Sequence, residues 1–203
     1  MTNANTGSTG YLNKVKVTAN LANGAYWSTF YSNAYNHQAP EGTQVFAVNL
    51  NTSKAEITMT EIPNRVALSG KGVVLKNTTT GSITMTKTET APDVDYSGSS
   101  LTGTTAAMTG AAGNIYVLNN GTQGVGFYKL KSTGTIGANK AYLTYSGSLA
   151  PEFFGFDGNT TGIDATLVNS EKVNSVVYDL QGRRVAQPTK GLYIVNGKKV
   201  VIK

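Results

Sequence analysis

Cysteine is missing from this 203-residue chain, and histidine and tryptophan each occur once. The first absence excludes disulfides, thiolate metal sites and cysteine catalysis. The second leaves His37 alone to serve any Ser-His-Asp arrangement. One histidine without cysteine also excludes a histidine-rich zinc site, so no metal or other cofactor is expected. Charged residues are scarce, at 14%. No apolar run reaches the roughly 18 residues that a membrane-spanning helix needs. The opening MTNANTGSTG lacks the basic start and apolar stretch of a signal peptide. Residues 1–10 read instead as a flexible edge of a longer protein. No window sustains an apolar 3.6-residue period, so amphipathic helices are not expected.

What is abundant is Gly, Thr, Ser, Asn and Tyr. Short alternating runs separated by Gly and Asn point to an all-β protein. YLNKVKVTANL should be a strand with Leu12, Val15 and Val17 inward. TQVFAVNLN and AEITMTEIP should pair around Asn51-Thr52-Ser53-Lys54, with Pro63 ending the second. GKGVVLKN reads as a short buried strand, and GSITMTKTET puts Ile83, Met85 and Lys87 on one face. Residues 91–113 read as a long loop-rich excursion. NIYVLNNGTQGVGFYKLKS has a hairpin signature, with Asn120-Gly121 as its corner. Phe153, Phe154 and Phe156 mark a last apolar strand. The expected fold is an antiparallel β-sandwich, jelly-roll-like, of about eight to ten strands. It would span residues 11–157, with a linker over 158–172 and a small antiparallel β tail over 173–203. Within that tail, corners at Gly182 and Asn196-Gly197 separate short strands.

The net charge of +6 is concentrated at the C-terminus. From Glu171 to Lys203 there are seven Lys or Arg against two acids, leaving the preceding 170 residues near neutral. A basic stretch without a recognisable nucleic-acid module does not argue for nucleic acid. In NGKKVVIK, Lys199, Val201 and Lys203 share one face, and Lys198, Val200 and Ile202 the other. That alternation favours an edge strand guarded by lysines over a lipid-binding patch.

Two stretches carry a family resemblance. Tyr178-Asp179-Leu180-Gln181-Gly182-Arg183-Arg184-Val185, followed by Lys190-Gly191-Leu192-Tyr193-Ile194-Val195-Asn196-Gly197-Lys198-Lys199, resembles the C-terminal tail of secreted and cell-surface Bacteroidales proteins. Type IX secretion sorting domains are related tails. WSTFYSNAYNHQAPEGTQVFAV, GKGVVLKN, NIYVLNNGTQGVGFYKL and GANKAYL, in that order, resemble the β-rich domain that often precedes it. Together they cover most of residues 26–203. The resemblance implies an exported, outer-membrane-associated protein with further domains upstream, and no single activity.

The candidate ligand residues are Tyr26, Trp27, Tyr31 and Tyr35, whose rings could stack on sugars. Alternation places Trp27, Thr29 and Tyr31 on one face of a strand and Tyr26, Ser28 and Phe30 on the other. One face at least should be buried, so packing is favoured over a glycan platform. His37, in YNHQAPEG, reads as an exposed turn histidine. Asp93 and Asp95 would share a strand face, and Glu56 and Glu61 flank another run, as the candidate carboxylates of a glycosidase. Surface solubility is the favoured reading of these acids. In DGNTTGID, Asp157, Asn159, Thr161 and Gly162 fall where a calcium loop would begin. Val168 then stands where the bidentate acid is needed, so a polar hinge is the better reading. The expected function is a non-catalytic structural or interaction module of a surface protein. A carbohydrate-binding module is the alternative, possible partners being envelope glycan and the upstream domains, and a glycoside hydrolase is third.

Overall fold

The computed structural model describes residues 13–149, 151–156, 177–179, 184–185, 190–195 and 198–202. Leu12, the flexible edge over 1–10, the linker over 158–172, the calcium-like loop from Asp157 and the corners at Gly182 and Asn196-Gly197 lie outside these. The chain divides into two units, Met1–Gly162 and Ile163–Lys203. All regular structure among the described residues is β.

The first unit begins with β1 (Lys14–Thr18), β2 (Asn20–Ala22), β3 (Ala25–Phe30), β4 (Asn36–Gln38) and β5 (Thr43–Asn51). It continues through β6 (Glu56–Glu61), β7 (Val66–Ala67), β8 (Val73–Asn77), β9 (Ser82–Thr88), β10 (Leu101–Gly103) and β11 (Met108–Gly110). It closes with β12 (Ile115–Gly121), β13 (Gly124–Lys129), β14 (Gly134–Ile136), β15 (Ala141–Thr144) and β16 (Phe153–Gly155). The second unit holds β17 (Val177–Tyr178), β18 (Arg184–Val185), β19 (Gly191–Val195) and β20 (Lys198–Ile202). Every pairing is antiparallel.

The body is a layered, sandwich-like arrangement of three sheets. A first sheet runs β1-β9-β4-β7, a central sheet β2-β3-β8-β5-β6, and a third sheet β10-β15-β12-β13-β16, with a β11-β14 ribbon beside them. The central sheet is buried on both faces. Val73 and Leu75 of β8 and Val45 and Ala47 of β5 pack with Val15, Ile83 and Met85 of the first sheet. The intervening Val74 and Val48 pack instead with Tyr116, Phe127 and Leu143 of the third sheet. Consecutive buried positions are what a strand covered on both sides requires. The antiparallel, sandwich-like expectation is met, here with three sheets, and the sixteen described strands of the body exceed the eight to ten read from the sequence. The excess comes from pieces of two or three residues, such as β10 and β11 inside the expected 91–113 excursion.

Val15 and Val17 are buried as alternation predicts, and so are Ile83 and Met85. The Asn51–Lys54 connection and the end of β6 before Pro63 also match. The hairpin corner does not. Asn120 and Gly121 lie within β12, where Gly121 pairs with Gly124, so Thr122-Gln123 forms the turn. The reason is Tyr128. Its ring covers Gly121 so closely that a Cβ there would lie 2.7 Å from it. Its hydroxyl accepts from Gln123 N at 3.1 Å and donates to Gly124 O at 2.7 Å. Among the described residues Asn23-Gly24 is the Asn-Gly pair that does turn, joining β2 to β3 with φ of 52° and 72°. Positive φ at both positions is the signature of a type I′ corner.

In the second unit the order is β18-β17-β19-β20, which leaves β20 at an edge. Val201 and Lys199 are exposed there and Val200 is half-buried, following the alternation expected of NGKKVVIK.

The double burial of β8 yields a direct test. Val74→Ala and Leu75→Ala should each destabilise the chain by about 2 kcal/mol or more in denaturant unfolding. A neutral effect at either position would mean that one face of the central sheet is open to water.

Candidate binding cleft

Backbone chemistry at the edge of the central sheet creates the candidate site. β2 pairs with β3 only as far as Asn20 opposite Trp27. The edge of β3 beyond Trp27 must find other partners, because unpaired backbone groups are costly away from water. The segment before β15 supplies them. Tyr31 N donates to Asn139 O at 3.1 Å, and Asn139 Nδ2 returns a bond to Tyr31 O at 3.1 Å. Ala141 N donates to the Thr29 hydroxyl at 2.9 Å. Asn139 takes φ of 55°, a left-handed conformation that asparagine tolerates better than most residues. Thr104 fixes the same turn from the other side. Its N–H donates to Lys140 O at 2.9 Å, and its hydroxyl donates to Gly137 O at 2.6 Å.

This network delivers the Lys140 side chain to the uncovered part of β3. Its ammonium donates to Ser28 Oγ at 2.6 Å and to Thr18 O at 3.3 Å. Ser28 Oγ in turn donates to Thr18 O at 3.2 Å. Burial pushes the Lys140 pKa below its ordinary 10.5. Among the described residues no carboxylate forms an ion pair with it. A cleft of about 290 Å³ opens beside these groups. Trp27, Ser28 and Lys140 border it together with apolar Leu118, Leu130 and Ile136.

The four aromatics singled out in the sequence do not form one platform. Trp27 and Tyr31 face the third sheet, and Tyr26 packs into the core on the opposite side. The strand alternation read from AYWSTFYS is thus present. The Trp27 ring lies 5.1 Å from that of Phe156, with Lys76 Nζ 5.3 Å from its centroid. Its Nε1 is buried and has no hydrogen-bond partner among the described residues. Tyr31 lies flat against Gly103, leaving no room there for a Cβ. Tyr35 sits beyond β3, with the Lys87 ammonium 3.9 Å above its ring. Of the four, Trp27 borders the cleft.

The histidine expectation is overturned. His37 is 1% exposed, in the middle of β4, not in an open turn. Its Nδ1 lies 2.9 Å from Tyr35 O, and its ring packs edge-on to Phe30 at 5.3 Å. The acids are also placed differently. Asp93 lies in a bend and Asp95 in the irregular segment after it, neither on a strand. Asp93 accepts from Asn64 N at 3.0 Å, and Asp95 from Ser97 N at 2.9 Å. That backbone bond, with the Ser97 side chain, holds the Asp95 carboxyl below its usual pKa. Glu56 and Glu61 stand at opposite ends of β6. No group of three or more His, Cys, Asp or Glu able to hold a metal occurs among the described residues.

Sequence reading missed Lys140. Among seventeen basic residues it stands in a turn, where lysines are normally exposed. The contacts that single it out come from residues 112 and 122 positions away. No family model, curated protein or solved structure matches the chain.

A half-buried ammonium with neutral partners costs stability. The depressed pKa fixes the sign with pH. The cost is fully present below the folded-state pKa and fades as pH rises toward 10.5, where the unfolded chain also releases the proton. Lys140→Met should therefore raise Tm at neutral pH, and its advantage over wild type should shrink at alkaline pH. Tyr96 and Tyr116, whose hydroxyls burial pushes up to about 12, oppose this in both proteins and cancel in the difference. A variant less stable than wild type at pH 7 would show that the ammonium contacts outweigh desolvation.

Proposed function

We infer that the chain is a non-catalytic structural and interaction module of a larger protein exported to the bacterial cell surface. The observation that carries this reading is the face of the C-terminal sheet. Tyr178 pairs with Ile194, and Leu192 pairs with Val201. Residues 192 and 194 of one strand share a face, so these four residues lie on one face, together with Lys199 opposite Ile194. Tyr178, Leu192 and Val201 on it are 39%, 40% and 60% exposed. An exposed apolar patch of this kind, bordered by a lysine, marks a contact surface. The upstream domains of the parent protein are its natural partners in this reading. The resemblance of the tail to surface-protein termini supports the location. In the body, the rings of the aromatic segment support layers of sheet.

A second reading, carbohydrate binding, is favoured by one observation: Trp27 borders a cleft that also presents hydroxyl, amide and ammonium groups. Rings and convergent polar groups of this kind suit sugars.

The first reading is tested on the parent protein in its own cells. Protease treatment of intact cells should release this chain. Leu192→Asp with Val201→Asp should reduce surface retention by about tenfold or more, since two apolar contacts are lost. A protein found only in the cytosol, or turnover of any chromogenic glycoside by the isolated chain, would overturn the reading.

A further inference from the structure

We propose that the cleft beside Ser28 binds a small carboxylate-bearing molecule of about one sugar ring, with its acidic group on Lys140 and its body along the Trp27 side. The proposal rests on the carbohydrate-binding reading and adds a charge requirement to it.

The charge argument comes first. An ammonium has three N–H donors. Two directions are taken by Ser28 Oγ and Thr18 O, both neutral acceptors. No residue lining the cleft is Asp or Glu. The cation is half-buried, and burial already lowers its pKa. An anionic oxygen is the partner that relieves this cost most, because charge-assisted bonds are the strong ones.

Placement is the second argument. Lys140 is not a loosely swinging surface lysine. Thr104 binds its backbone carbonyl, and Asn139 and Ala141 on either side are bonded to Tyr31 and Thr29 of β3. A charge held this firmly without a counter-charge is a preorganised binding group. The one buried side-chain nitrogen or oxygen without a partner among the described residues is Trp27 Nε1. It belongs to another residue of the same cleft. Native proteins leave few such groups, so an unmet donor on a residue that borders the same cleft as the Lys140 ammonium supports a site there.

Charge and size then select the ligand. One lysine lines the cleft, which matches a single negative charge better than a phosphate dianion. Lys76 is not among the lining residues, although its ammonium by the Trp27 ring adds to the positive field. A volume of about 290 Å³ lies at the lower limit of ligand pockets, roughly 300 Å³. That admits one ring, not an oligomer. The lining is mixed, with Leu118 and Ile136 opposite Thr18 and Ser28 in kind, which suits a ring bearing both C–H faces and hydroxyls.

The chain carries its own reporter, because Trp27 is the sole tryptophan. The full 203-residue chain is titrated at constant ionic strength with sodium glucuronate, glucose and acetate, following Trp27 emission. Glucuronate should give a saturable change, with glucose and acetate each at least about tenfold weaker. Lys140→Met should lose at least that factor while keeping the circular dichroism of the wild type. Should that variant misfold, NMR of the wild-type Lys140 side chain decides: saturating glucuronate should raise its pKa. Glucose binding as tightly as glucuronate would overturn the charge requirement and leave the carbohydrate reading standing. Acetate binding as tightly would overturn the ring requirement. Silence toward both sugars would overturn the proposal and the carbohydrate reading together. An unmoved Lys140 titration at saturation would overturn the placement.

Discussion

The body depends on burial of both faces of its central sheet. Val73, Val74 and Leu75 are consecutive in β8, and each is at 0% exposure. Such a strand cannot sit in a sheet with one wet face, so it demands a layer on either side. The first and third sheets meet that demand. The same demand explains β3, the neighbour of β8. Phe30 must serve one core and Trp27 and Tyr31 the other. An aromatic run that resembles a ligand platform is thus first a consequence of layering, and its rings part to opposite sides.

Layering also explains where a cleft can open. A strand buried on both faces still needs backbone partners along both edges. β2 covers only the first half of β3, and the turn at Asn139–Lys140 takes over with single hydrogen bonds instead of a continuous ladder. Where a ladder changes to a turn, polar groups from three segments meet without a common register. Thr18, Ser28 and Lys140 meet in this way, brought from distant parts of the chain. The cleft is the geometric remainder of an edge completed by an irregular segment.

The all-β class and the inward residues Val15, Val17, Ile83 and Met85 of β1 and β9 were legible in the sequence because period-two alternation is local. The layer count was not. VVL in GKGVVLKN announced a buried strand but could not say how many sheets cover it. The two Asn-Gly pairs among the described residues teach the same distinction. Both permit a type I′ corner, and Asn23-Gly24 makes one. Asn120-Gly121 does not, because Tyr128 packs over the glycine and its hydroxyl fastens a corner two residues later. His37 misled for a related reason. Its turn-like neighbours hid a three-residue strand whose partners, Ala67 and Lys87, are far away in sequence. Lys140 was illegible altogether, since nothing in GANKAYL foretells Ser28 or Thr18.

Elsewhere in the body, buried polar groups are satisfied by means that cost little. Asn77 donates to Thr43 and accepts from the Thr79 and Thr80 amides, ending β8 in a closed turn. The Tyr96 hydroxyl joins the Leu68 amide to Val66 O across the short β7. Tyr116 donates to Pro151 O at 2.8 Å. Each pairs a neutral group with a neutral partner, so no charge is withdrawn from water. Lys140 departs from that pattern. A methionine stem could fill the same space, and a threonine could bond Ser28, without bringing a charge to the cleft. Local consistency with the fold is the rule for structural residues, and departures from it concentrate at functional sites. The ammonium is therefore better explained by what it can hold than by what it holds together.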